Sequence, residues 1–149
     1  MYSAWDISKY IVQKSIRIEK PINNLKLQKI LFYCQVEYIR SNKELLFEDE
    51  IECNDYGMMI PSIYYRLNIH SSSDLNSNDL KDKQDENIEL DEHTKLIIDS
   101  VIDRYKDVCT WILVSINHQE QIWKDMYRDK GIIYLDREDL LIYYSQIST

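Results

Sequence analysis

Glycine and proline are almost missing from this chain. Its 149 residues hold two of each, Gly57, Gly131, Pro21 and Pro61. That leaves too few turn formers for a many-stranded barrel and no glycine-rich loop to cradle a phosphate. Cysteine is scarce too, and odd in number. Cys34, Cys53 and Cys109 lie far apart with no Cys-x-x-Cys pair, so neither a secreted disulfide framework nor a zinc knuckle is expected. No apolar run approaches the ~20 residues of a membrane helix. Met1–Asp6 also lacks the basic start and apolar stretch of a signal peptide. A cytoplasmic protein with no membrane contact is expected.

Basic residues are in deficit: 18 Lys and Arg against 26 Asp and Glu, a formal net charge of −8. Nucleic-acid binding, which needs a basic footprint, is therefore not expected. The same balance suits steering toward a basic protein partner, and equally the plain solubility of an acidic cytosolic protein. His70, His93 and His118 are isolated from one another and no HExxH accompanies them, so no metal and no cofactor are expected. No Walker loop or nucleophile elbow is present. Cys34 reads as a buried, inert thiol because it falls on an apolar stripe. The expectation is a protein that is not an enzyme.

What remains is helical periodicity. Ser3 and Asp6 form an N-terminal capping pattern for a first helix to about Lys14. Asn23 or Asn24 caps a second, in which Leu27, Ile30, Leu31, Cys34 and Tyr38 recur every three or four residues to about Ser41. From Phe47 to Asn54 the pattern alternates, as in a short half-exposed strand. Gly57 marks a turn, and Pro61 opens a helix burying Ile63, Tyr64 and Leu67. Residues 71–89 are polar and read as a loop or linker. Asp91 then caps a helix with Ile98, Val101, Ile102 and Tyr105 inward. The next helix carries Val108, Trp111, Ile112 and Ile116, and a short one carries Trp123, Met126 and Tyr127. Ile132–Tyr134 reads as a second short strand. A last helix starts at Asp136 with Leu140, Tyr143, Tyr144 and Ile147 on its apolar face. The expected fold is mainly α: one compact bundle over residues 1–149, with about six helices, one or two short strands and the polar loop at 71–89.

Twelve tyrosines stand out. Their apolar bodies and polar tips suit either a binding surface or half-buried filling positions.

Three ordered blocks add a resemblance. Asn24-Leu25-Lys26-Leu27-Gln28-Lys29-Ile30-Leu31-Phe32-Tyr33-Cys34-Gln35 resembles the "NLKLQKLLYFAQ" signature of the Panacea domain, the family of SocA-like antitoxins and GepA-type phage-associated proteins. Ile51-Glu52-Cys53 followed by Tyr56-Gly57-Met58-Met59-Ile60-Pro61-Ser62-Ile63-Tyr64 is similar to the family's "IEAWKYGPVVPEVY". Ile116-Asn117-His118-Gln119-Glu120 with Trp123 is similar to "LTHxExxW". Gly57-Met58 stands where the family has glycine-proline, and Cys53-Asn54 where it has alanine-tryptophan.

The resemblance implies an antitoxin that neutralises a cognate toxin by direct binding, with a protease as a further partner where a member hands its toxin on for degradation. The other reading it allows is a phage- or mobile-element-borne effector that binds and inhibits or redirects a host or defence protein. Lys26, Gln28, Lys29, Tyr56 and Tyr64 are the expected partner-contacting residues. Against this, the lysines also read as an ordinary solvated helix face, and Gln28 as a bond to a buried backbone group. Asn24, Gly57, Pro61, His118, Glu120 and Trp123 are expected to shape the fold, with His118 and Glu120 capping the Trp123 helix. Exchanging Tyr64 or Lys29 for a residue of opposite character is then expected to remove binding and leave the fold intact.

Overall fold

The computed structural model describes residues 1–68, 72–81 and 88–145. It is mainly helical, with seven α-helices and a two-stranded antiparallel sheet among those residues. The helices are α1 (Ala4–Arg17), α2 (Asn24–Asn42), α3 (Pro61–Tyr64), α4 (Glu92–Tyr105), α5 (Thr110–His118), α6 (Gln121–Trp123) and α7 (Arg137–Ser145). The strands are β1 (Glu52–Asn54) and β2 (Gly57–Met59).

Helix starts follow the cap residues. Ser3 accepts from the Asp6 N–H while Asp6 takes the Ser3 N–H, a complete capping box at α1. Asn23 accepts from the Lys26 N–H at α2, and Asp91 from the Thr94 N–H at α4. Each satisfies a donor that the first helical turn leaves without a partner. Helix α2 ends at Lys43, which adopts φ 59°, the left-handed conformation common at helix ends.

The axis of the molecule is α2. Every residue from Leu27 to Val36 is buried, because α1, α3, α4, α5, α7 and β2 all pack on it. A helix surrounded on all sides has no solvated face to offer. Phe32 meets the rings of Tyr33 and Tyr144 edge-on, at 5.2 and 6.2 Å between centroids, which ties α2 to α7.

Several expectations change in the fold. The strand expected over Phe47–Asn54 keeps three residues, and Ile132–Tyr134 makes one bridge, Glu52↔Tyr134, rather than a strand. Within the polar stretch, Ser77–Leu80 forms a 3-10 turn boxed by Asn76 and Asp79. Leu75 and Leu80 are buried there, and the Leu75 N–H donates to the Ile22 carbonyl at 2.8 Å. Two leucines suffice to pin that part of a polar segment to the core. Trp111 and Ile112, expected to face inward, are exposed; Leu113, Val114 and Asn117 are the buried positions of α5. Ile147, His70 and the 82–87 part of the polar stretch lie outside the described residues. No helix among those described is long and apolar enough to cross a membrane.

Candidate functional site

The three sequence blocks, far apart along the chain, meet at the β1–β2 hairpin. Its register pairs Glu52 with Met59, Cys53 with Met58 and Asn54 with Gly57, leaving Asp55 and Tyr56 as the turn. The Asn54 side chain accepts from the Tyr56 N–H at 2.8 Å, closing a local Asx turn. Gly57 has φ +99°, a conformation side chains disfavour, and a β-carbon there would stand 2.4 Å from Asn117 Oδ1. Only glycine lets α5 approach the strand this closely.

From α2, buried polar side chains reach the hairpin's outer edge. Lys29 is fully buried. Its ammonium donates to the carbonyls of Tyr56 and of Met58, the latter at 3.1 Å. The residue before it, Gln28, accepts from the Ile60 N–H at 2.9 Å and donates to Asn24 Oδ1 one turn earlier. The Asn24 amide in turn donates to the Tyr64 carbonyl at 3.0 Å. Further along, Gln35 brackets the entry to the hairpin, taking the Leu46 N–H and donating to the Phe47 carbonyl. A short extended segment packed against a helix has no second strand to satisfy its backbone, so these side chains stand in for one.

From the third block, Asn117 takes the Met58 N–H at 3.0 Å and donates to the Tyr33 hydroxyl. His118 Nε2 pairs with the Asp55 carbonyl at 2.7 Å, and Trp123 Nε1 donates to the Asn54 carbonyl at 3.0 Å. Their rings lie 4.3 Å apart. The Tyr127 hydroxyl donates to the Asp55 carboxylate and completes the grip on the turn.

These placements correct the sequence reading. Lys29 is on no solvated face and spends its ammonium on the chain's own backbone, while Gln28 takes a buried backbone N–H, as its second reading expects, and holds the Asn24 side chain. Lys26 is half-buried, its ammonium donating to the Lys106 carbonyl at 3.1 Å. His118 and Glu120 do not cap α6 with their side chains. Glu120 accepts from the Tyr144 hydroxyl instead. Of the expected contact residues, Tyr56 and Tyr64 remain at the surface, Tyr56 exposed and Tyr64 half-buried.

Those two tyrosines border an open cleft of about 520 Å³, together with Leu25, Met59, Cys109 and Trp111. Tyr56 and Trp111 are 51% and 63% exposed and their rings lie 6.1 Å apart. Sequence reading missed Trp111 as a surface residue because an aromatic among apolar neighbours looks like core. Among the described residues no side chain lining this cleft is charged.

Burial governs the ionisable groups inside the fold. Burial pulls the Lys29 ammonium down to about 7. It pushes the Cys53 thiol up to about 12 and the Cys34 thiol far above its ordinary value, the opposite of what a nucleophile needs. Among the described residues no hydrogen bond joins a cysteine to a histidine, and no three His, Cys, Asp or Glu side chains cluster to hold a metal ion.

Residues 27–124 match the family model "Antitoxin SocA-like, Panacea domain". The chain belongs to this antitoxin family. The matched span starts in α2 and ends just after Trp123, so it contains the hairpin and most of the side chains that grip it. Comparisons with curated proteins and with solved structures return no match. Membership in an antitoxin family points to a protein partner rather than to catalysis.

Proposed function

We propose that this protein is an antitoxin that neutralises a toxin by direct binding, through the surface formed by Tyr56, Tyr64 and Trp111. The observation that carries this reading is an exposed aromatic pair on a rigid mount. Tyr56 sits on a turn whose carbonyls and amides are tied to α2, α5 and α6, and Trp111 stands opposite it on the first turn of α5. Large aromatic side chains held in place lose little entropy on binding and dominate interface energetics. A cleft beside them whose described lining carries no charge can seat an apolar side chain of the partner.

The test is co-expression with the product of a neighbouring gene that arrests growth. The protein restores growth, and Trp111→Ala or Tyr56→Ala abolishes the rescue while the urea midpoint stays within about 0.5 kcal/mol of the parent. Growth arrest that persists with the unaltered protein sinks the antitoxin reading for that pair. Rescue by both variants sinks the choice of surface.

A further inference from the structure

The hairpin has two outer edges. The β2 edge is sealed by Gln28, Lys29 and Asn117. Beyond β1 the chain returns at Ile132–Leu135. The Cys53 N–H donates to the Ile133 carbonyl, and the Leu135 N–H to the Ile51 carbonyl at 2.9 Å. These two bonds flank the antiparallel bridge Glu52↔Tyr134, which makes Glu52 and Tyr134 a non-hydrogen-bonded pair. In such a pair each residue's N–H and C=O point away from the partner strand, so those of Tyr134 face off the sheet. Among the described residues neither makes a hydrogen bond, whereas the Ile132 N–H is taken by the Met126 carbonyl at 2.8 Å, so Tyr134 is the open position of this edge. The side chains here are apolar and exposed: Ile132 38%, Ile133 50% and Tyr134 52%.

The surroundings are acidic. Glu50 and Glu52 lie along the paired segment, and Asp136 and Glu138 follow directly. The cations of the neighbouring chain are Arg128, paired with Asp129, Lys130, and Arg137, which is engaged with the Glu48 carbonyl. An edge with free backbone groups recruits an extended chain. A second copy of this protein, at net charge −8 and with the same acidic rim, is repelled from it.

The geometry points to the Ile132–Tyr134 edge as a docking strand for an extended segment of a partner protein that carries lysine or arginine among apolar residues. Main-chain bonds to Tyr134 supply the registration. Ile132 and Ile133 give alternate side chains something to cover, and the rim selects positive charge. This surface is separate from the Tyr56–Trp111 cleft and does not require the partner to be a toxin.

The probe is a ten-residue peptide alternating valine and lysine, added at low salt to isotopically labelled protein, with a valine–glutamate peptide as its counterpart. The lysine peptide is expected to bind saturably and slow exchange of the Tyr134 amide about tenfold. The glutamate peptide is expected to do neither. Replacing Glu50→Lys together with Glu138→Lys should weaken lysine-peptide binding about tenfold, with an unchanged urea midpoint showing that the fold is intact. The inference is overturned if the Tyr134 amide does not respond at saturating peptide, or if both peptides bind alike. Peptide shifts confined to the Tyr56–Trp111 cleft overturn it too. So does Tyr134 protection that grows with protein concentration alone, which assigns the edge to a second copy. No toxin enters this measurement, so a silent edge and a failed growth rescue are separate results.

Discussion

The two edges of the small sheet solve the same problem in opposite ways. On the β2 side, Lys29 and Asn117 satisfy backbone groups of the hairpin and Gln28 takes the Ile60 amide just beyond it, all from side chains buried among helices. On the far side, Tyr134 turns its backbone outward with no hydrogen-bond partner among the described residues. Buried polar backbone must be paired, at a cost of about 1–3 kcal/mol for each group left alone, whereas an exposed edge is satisfied by water. The sealed edge therefore holds residues that look functional and act structurally. The open edge holds residues that look like ordinary strand and remain available.

The comparison predicts a gradient of mutational effects. The largest belongs to Gly57→Ala, which combines φ +99° with a β-carbon driven into the Asn117 side chain. A loss of about 2–5 kcal/mol is expected, read as a fall in the urea midpoint. Lys29→Met comes next. It fills similar space but leaves the Tyr56 and Met58 carbonyls without a donor, for about 2–4 kcal/mol.

Lys29 also carries a pH signature. Its folded pKa of about 7 lies below its ordinary value, so between the two the unfolded chain binds more protons, and stability rises with pH. The parent protein should therefore gain stability from about pH 7 to pH 9, and Lys29→Met should lose that slope. An equal slope in both proteins assigns the titration elsewhere. Asn117→Ala strands the Met58 N–H and should cost about 1–3 kcal/mol in the same assay. At the open edge Tyr134→Thr should stay within about 0.5 kcal/mol. A large loss there shows that the edge is structural after all.

The sequence was most legible where one residue's neighbours decide its fate. Cap residues announce three helix starts, at Ser3, at Asn23 or Asn24 (the structure uses Asn23) and at Asp91, and the spacing of Leu27 to Tyr38 announces α2. It was least legible where burial depends on elements distant in the chain. Lys29 falls between apolar positions, and local pattern alone gives a lysine to solvent. Only the hairpin carbonyls, some thirty residues on, make its burial tolerable. Trp111 misleads in the other direction, since α5 is apolar enough to hide it but turns Leu113 and Asn117 inward instead. The resemblance over three blocks identified the residues that matter without distinguishing those that hold the hairpin from those that face a partner. His118 illustrates this: its spacing from Trp123 suggested a helix cap, whereas both side chains reach across to the turn.

The central claim is that the polar residues of the α2 signature are the hairpin's missing strand and not a contact surface. Urea unfolding of Lys29→Met beside the parent protein at pH 7.5 tests it most directly. The account predicts a midpoint lowered by the equivalent of about 2–4 kcal/mol. An unchanged midpoint, with the hairpin intact, contradicts it and returns Lys29 to the surface.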